Sequence, residues 1–224
     1  MSDIDRYLDA FGDWTPKGVV FDCDGLILDT ESVWDGTQQT MLARYGATLT
    51  PEQDDSIIGA TLEQAAEVIA RAAGADYGEV LAAAREQFLT DLGEELHPMP
   101  GAIAIVRAAA ARVPIACASN SWHEALQDKL TRAGIIDLFA NLQSTDTVEN
   151  GKPAPDMYAK AARELGVAPG ECLALEDSAV GARAAVAAGL RLLAVPPHGG
   201  DVDEADLRIA TLEDEGLLEW IATW

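Results

Sequence analysis

Val19-Val20-Phe21-Asp22-Cys23-Asp24-Gly25 is an apolar run that ends in two carboxylates two residues apart, followed by a glycine. It reads as a buried strand whose tip carries chemistry. A central strand of a parallel sheet is apolar on both faces, so Asp22 and Asp24 belong at its carboxyl end, where open α/β sheets bind ligands.

Further apolar runs of strand length follow at residues 113–118, 172–175 and 190–195, with a weaker one at 138–143. Helical spacing separates them, at residues 102–111, 124–133, 156–165 and 179–188, with glycines placed to end helices at Gly134, Gly166 and Gly189. This alternation predicts an α/β fold, a Rossmann-like doubly wound parallel sheet with helices on both faces. Between the first strand and the second, residues 30–96 read as helices only, at 32–45, 62–73 and 78–92, with breaks at 46–51 and 74–78. The expected organisation is a catalytic core of residues 1–29 and 97–224 carrying an inserted helical domain at 30–96. An N-terminal arm around Ile4, Tyr7, Leu8 and Phe11 reads as a short helix docked on the core.

With 15 Lys plus Arg against 38 Asp plus Glu, the net charge of −23 argues against nucleic acid and anionic membrane surfaces as partners. An anionic substrate must therefore meet a local cation. Cys23, Cys117 and Cys172 lie in or beside apolar runs, an odd and widely spaced set that suggests neither a disulfide framework nor a zinc site. The acidic start lacks a secretory pattern, and no stretch approaches the ~20 apolar residues that span a bilayer. These features predict a cytoplasmic protein, read as a monomer with a homodimer as the alternative.

Four pieces end or follow the successive strands: Asp22-Cys23-Asp24-Gly25, Ser119-Asn120, Gly151-Lys152-Pro153 and Glu176-Asp177-Ser178. A doubly wound sheet brings them to one edge. Carboxylates gathered about 4 Å apart repel by roughly 4 kcal/mol per pair at an effective dielectric of 20, so a shared divalent cation is their natural counter-charge. Oxygen ligands on an open site favour Mg²⁺. Asp22, Glu176 and Asp177 are the candidate side-chain ligands, with the backbone carbonyl of Asp24.

These pieces divide the work of phosphoryl transfer. Asp22 can attack phosphorus, and Asp24 can protonate the leaving oxygen and later take a proton from water. Ser119 and the Asn120 backbone N–H can bind phosphoryl oxygens, while Lys152 neutralises charge shared by phosphate and nucleophile.

In order and spacing, these motifs, extended through Gly151-Lys152-Pro153-Ala154-Pro155-Asp156, resemble the haloacid dehalogenase-like hydrolase superfamily, in its subgroup of β-phosphoglucomutase and sugar phosphatases. The resemblance spans nearly the whole chain. It implies a Rossmann-like core, a helical cap, Mg²⁺ and a phosphoaspartate on Asp22. Asp24 favours a hydrolase or mutase over a dehalogenase. The mutase pattern has a histidine ten residues after the acid/base, where this chain has Trp34, and its cap loop has a lysine and an arginine where this chain has Ile58-Gly59-Ala60-Thr61-Leu62.

The expected activity is a Mg²⁺-dependent phosphatase acting on a small phosphorylated metabolite, a sugar or polyol phosphate. A β-phosphoglucomutase-like phosphotransferase is the alternative, and a non-catalytic binding protein is a third reading. Trp34, Gly59, Thr61 and His123 are the candidate substrate contacts.

Overall fold

The computed structural model describes residues 4–57, 60–93, 96–196 and 202–224. The chain divides into two compact units, one formed by Met1–Asp29 with His97–Trp224 and the other by Thr30–Leu96.

The first unit is built on six strands: β1 (Gly18–Phe21), β2 (Ile115–Ala118), β3 (Phe139–Gln143), β4 (Cys172–Glu176), β5 (Arg191–Ala194) and β6 (Leu207–Arg208). Their order is β3-β2-β1-β4-β5-β6, and every pairing is parallel. β1 is central, with Val20 opposite Ala116 on one side and Ala174 on the other. Every residue of β1, β2 and β4 is buried, which is why these segments read as unbroken apolar runs rather than alternating ones.

One face of the sheet is lined by small residues. Ala116, Ala118, Ala174 and Ala194 share a buried cluster with Ala161 and Ala162 of α8 (Asp156–Leu165) and Ala182, Ala184 and Ala185 of α9 (Ala179–Ala187). The larger Val20, Met157, Tyr158 and Leu192 fill the space between these alanines in the same cluster. The glycines expected to end helices, Gly134, Gly166 and Gly189, all have positive φ. That conformation costs glycine little.

Sequence periodicity misses two short elements of this unit. β6 has only two residues, Leu207 and Arg208, paired with Leu193 and Ala194, too few to show alternation. The C-terminal helix α10 (Glu215–Ala222) starts at Asp214, whose carboxylate accepts from the Leu217 N–H. It explains the N-terminal arm: helix α1 (Asp5–Phe11) stacks Tyr7 and Phe11 on Trp220, with ring centroids 5.4 and 4.7 Å apart, and Arg6 pairs with Asp214.

The second unit holds α2 (Glu31–Tyr45), α3 (Pro51–Ile57), α4 (Leu62–Ala73) and α5 (Tyr77–Asp91). The apolar stripe of α4, Leu62, Ala65, Ala66, Ile69 and Ala70, is buried, as its helical spacing requires. Helix α3 begins inside a segment that reads as a break. Thr50 and Gln53 exchange side-chain to backbone hydrogen bonds of 2.9 and 3.3 Å, a capping box in the sequence Thr-Pro-Glu-Gln. Among the described residues, no helix is long and apolar enough to cross a membrane.

Candidate active site

The tip of β1 leads into a tight turn. Gly25 adopts φ +81°, and the Cys23 carbonyl accepts from both the Ile27 and Leu28 N–H groups, at 2.9 and 3.0 Å. The chain therefore folds back directly after Asp22 and Asp24. Asp22 itself is fixed through its backbone, whose N–H donates to the Leu175 carbonyl of β4 at 3.0 Å. Its side chain is buried beneath the edge where β4 delivers Glu176 and Asp177.

Lys152 joins the two strand tips. Its ammonium donates to Asp22 Oδ1 and to Glu176 Oε1, each at 2.5 Å, and it is almost fully buried. The loop that carries it is clamped by Asn120, whose side-chain oxygen accepts from the Lys152 N–H at 2.9 Å while its amide donates to the Lys152 carbonyl at 3.2 Å. Gly151 gives this clamp room, since a Cβ there would stand 3.0 Å from Asn120 Oδ1, a tight contact to which the amide would have to yield. Asn120 thus acts through its side chain, a role that its position after Ser119 does not announce.

The Glu176 carboxylate is held by five donors. Lys152 and the Tyr158 hydroxyl, at 2.8 Å, address Oε1, while the Asp177 and Ser178 N–H groups and the Ser178 hydroxyl address Oε2 at 3.0 to 3.1 Å. Ser178 also caps α9, accepting from the Gly181 N–H. A buried carboxylate is tolerated when its lone pairs are filled in this way.

Asp24 sits in a second cluster. Its Oδ2 accepts from the Ser119 and Ser121 hydroxyls at 2.7 and 3.0 Å, and its Oδ1 accepts from the Lys129 ammonium at 2.5 Å. Ser119 is wholly buried at the end of β2, with its hydroxyl on Asp24. Lys129 comes from α7 (His123–Arg132) and is also wholly buried. Sequence reasoning misses it, although the signal was present: it occupies the inward stripe of α7 with Ala125, Leu126 and Leu130.

Burial raises the Asp22 carboxyl from its ordinary value near 3.8 to about 7; Lys152 opposes the rise, and Glu176 and Asp24 add to it. Burial alone would lower the ammonium groups. For Lys152 the charges of Asp22 and Glu176 outweigh it and hold the pKa well above the usual range, and for Lys129 the Asp24 carboxylate outweighs it and raises the pKa. A hydrogen bond with Cys117 and burial push the Cys23 thiol well above its usual range, which makes it packing rather than a nucleophile.

Among the described residues, Asp22, Glu176 and Asp177 are buried carboxylates whose oxygens lie within 4.8 Å of one another. Three carboxylates against the single ammonium of Lys152 leave an excess of negative charge in a buried site, and with burial as the larger cause the neighbouring carboxylates add to the rise in the Asp22 pKa. The donor set is all oxygen, so it fits a hard divalent cation such as Mg²⁺.

Residues 16–189 match the family described as haloacid dehalogenase-like hydrolase. The chain belongs to that family. A relative from Bacillus subtilis (strain 168), YhcW, is 35% identical over 186 residues, covering 80% of this chain and 83% of its own length. Hexitol phosphatase B of Escherichia coli (strain K12) is 30% identical over 215 residues, covering 89% of this chain and 96% of its own. The crystal structure of CbbY from Rhodobacter sphaeroides in complex with phosphate superposes with a TM-score of 0.79 at 24% identity, covering 92% of this chain and all of that one, and so shares the fold.

This hydrolase brings Asp22, Asp24, Ser119, Asn120, Lys152, Glu176 and Asp177 together within its first unit. The candidate substrate contacts fare differently. Thr61 caps α4, its hydroxyl oxygen accepting from the Gln64 N–H. Trp34 packs edge-on against Phe88 at 5.8 Å within the helical unit, and its buried indole nitrogen has no hydrogen-bond partner among the described residues. The His123 ring lies 3.4 Å from the Ser144 hydroxyl. Gly59 lies outside the described residues.

Proposed function

We propose that this hydrolase is a Mg²⁺-dependent phosphatase that cleaves a small phosphorylated metabolite, a sugar or polyol phosphate, through an aspartyl phosphate on Asp22. The observation that carries the reading is Lys152 bridging Asp22 and Glu176, with Asp24 two residues beyond the nucleophile. A lysine paired to a carboxylate at the tip of a central strand suits attack by an anion on an anion, because the ammonium offsets the charge that both reactants bring.

In this mechanism an Asp22 carboxylate oxygen attacks phosphorus, the bond to the leaving oxygen breaks, and Asp24 gives that oxygen its proton. Water then attacks the phosphoaspartate, Asp24 takes a proton from it, and Asp22 is released with inorganic phosphate. The Asn120 N–H binds a phosphoryl oxygen, the Ser119 hydroxyl turns its one proton from Asp24 to another when phosphate enters, and Lys152 neutralises charge shared between phosphate and Asp22. Asp22, Asp177 and the Asp24 carbonyl hold Mg²⁺, with Glu176 completing the acidic group and orienting Lys152. When bound, the cation supplies positive charge to the phosphoryl oxygens.

Hexitol phosphatase B supports a polyol or sugar phosphate as substrate, because its likeness runs along 89% of this chain. Trp34, in place of the mutase histidine, favours water as the acceptor. The test is release of inorganic phosphate from a panel of sugar and polyol phosphates, with Mg²⁺ and then with EDTA. Turnover that needs Mg²⁺ and disappears in Asp22→Asn supports the proposal. Isomerisation of a sugar phosphate without free phosphate, or turnover undiminished by Asp22→Asn, defeats it.

A further inference from the structure

We infer that Lys129 is a positioning residue: it sets the orientation of the Asp24 carboxylate and thereby its alignment with the leaving-group oxygen. The inference rests on the reading of Asp24 as the proton donor. Nothing in the motifs assigns Lys129 a role, and it lies ten residues beyond Ser119, on α7 rather than in a strand-tip loop.

A lysine on the inward face of α7 needs an explanation. The neighbouring inward positions, Ala125, Leu126 and Leu130, are apolar, and an aliphatic side chain at 129 would continue the stripe. The chain has only four lysines, yet one of them is wholly buried here. An ammonium out of water is tolerated only with well-placed acceptors. Lys129 donates to Asp24 Oδ1 at 2.5 Å and to the Ser121 hydroxyl at 2.7 Å.

Those contacts close a ring. Ser121 accepts from Lys129 and donates to Asp24 Oδ2 at 3.0 Å, while Ser119 donates to the same oxygen at 2.7 Å and accepts from the Ser121 N–H at 3.0 Å. Asp24 is therefore held at both oxygens, which fixes the rotation of its carboxylate plane as well as its position. Ser119 and Ser121 engage Oδ2 and Lys129 engages Oδ1, and a carboxylate gripped at both oxygens swings less than one gripped at either alone. Lys129 supplies the second point. A proton donor must come within about 2.6–3.2 Å of its acceptor, and a misplacement of about 1 Å can cost a hundredfold in rate.

The experiment separates positioning of Asp24 from general support of the fold by using leaving groups. Proton donation matters for an alkyl phosphate, whose alkoxide leaves poorly, and much less for para-nitrophenyl phosphate. The values of kcat/KM for both probes, a hexitol phosphate and para-nitrophenyl phosphate, are measured in the wild type, Lys129→Met, Asp24→Asn and the double variant, with thermal unfolding of each.

Asp24→Asn should lose about 10²- to 10⁴-fold on the hexitol phosphate and at least about tenfold less on the aryl ester. Lys129→Met should show the same selective pattern with a smaller loss, about 10- to 100-fold on the hexitol phosphate. Because Lys129 acts through Asp24, adding Lys129→Met to Asp24→Asn should cost little more. Equal losses on both esters, or full additivity in the double variant, overturn the inference. Should Asp24→Asn itself lack the leaving-group signature, it is the assignment of Asp24 that fails. Ser121→Ala opens the ring without removing an interior charge, and it carries the test if Lys129→Met does not fold. A selective loss on the hexitol phosphate supports the inference, and a uniform loss or none overturns it.

Discussion

The carboxylate of Glu176 fills the space that a Cβ at position 181 would occupy. Gly181 lies in the first turn of α9, where its N–H donates to the Ser178 cap, so its missing side chain leaves room for the residue that orients Lys152.

Two effects of opposite sign therefore compete in Gly181→Ala. Helix propensity alone predicts a gain of about 1 kcal/mol. Forcing a methyl group into a filled interior costs about 1–3 kcal/mol, and here the displaced group is a carboxylate with five donors to lose. Overpacking wins, so the variant should unfold at a lower denaturant midpoint than the wild type. On the proposed role of Lys152 beside the nucleophile, phosphatase turnover should fall at least about tenfold as it shifts, because small displacements of reacting groups are costly. A more stable Gly181→Ala protein with full activity would refute this account.

Asn120→Ala tests the clamp on the Lys152 loop. The substitution removes two hydrogen bonds to the Lys152 backbone and leaves the Asn120 N–H in place. The expected outcome is a loss of stability of about 1–3 kcal/mol, from backbone groups left without partners. Turnover should fall by about 10- to 100-fold. If Asn120 acted through its backbone alone, turnover would hold, and steady-state kinetics beside a denaturation curve distinguish the two cases.

The fold and the gathering of the motif residues at one edge of the sheet were legible in the sequence because each rests on a local signal. Buried parallel strands read as unbroken apolar runs, and Asp22 and Asp177 each follow such a run, while Lys152 stands out as a Gly-Lys-Pro in the loop after the weaker run of β3. Lys129, Tyr158 and the Asn120 side chain were not legible, since their roles depend on which helix face turns inward and on contacts 18 to 105 residues apart. Lys129 was visible only as a cation in an apolar stripe. Helix α10 was missed for a different reason. Its partner α1 lies at the other end of the chain, so neither element shows by itself why Trp220 is buried.

That long-range pairing predicts a purely structural phenotype. Phe11 stacks on Trp220, both are buried, and neither lies in the candidate site. Phe11→Ala should destabilise the protein by about 3–5 kcal/mol, the usual cost of emptying a core aromatic site. The kcat of the folded fraction should match the wild type. Equilibrium unfolding followed by tryptophan fluorescence reads the first effect, and turnover well below the unfolding midpoint reads the second. A stability loss below about 1 kcal/mol would mean that α1 is not part of the cooperative core.

The raised Asp22 pKa fixes the sign of a pH effect. Its carboxyl titrates at about 7 in the folded protein and near 3.8 ordinarily, so the unfolded state releases its proton first as the pH rises. The stabilising contribution is complete below the unfolded value and disappears as the pH passes through the folded one. Without a divalent cation, this group makes the protein less stable at about pH 8 than at about pH 5. A cation that prefers the ionised carboxylates acts in the opposite direction, and at about 100 times its Kd it adds about 2.7 kcal/mol. The rise in Tm on adding Mg²⁺ should therefore be larger at the higher pH, and Asp177→Asn should greatly reduce it. A Mg²⁺ shift of equal size at both pH values, or one unchanged by Asp177→Asn, would place the cation away from the Asp22, Glu176 and Asp177 carboxylates.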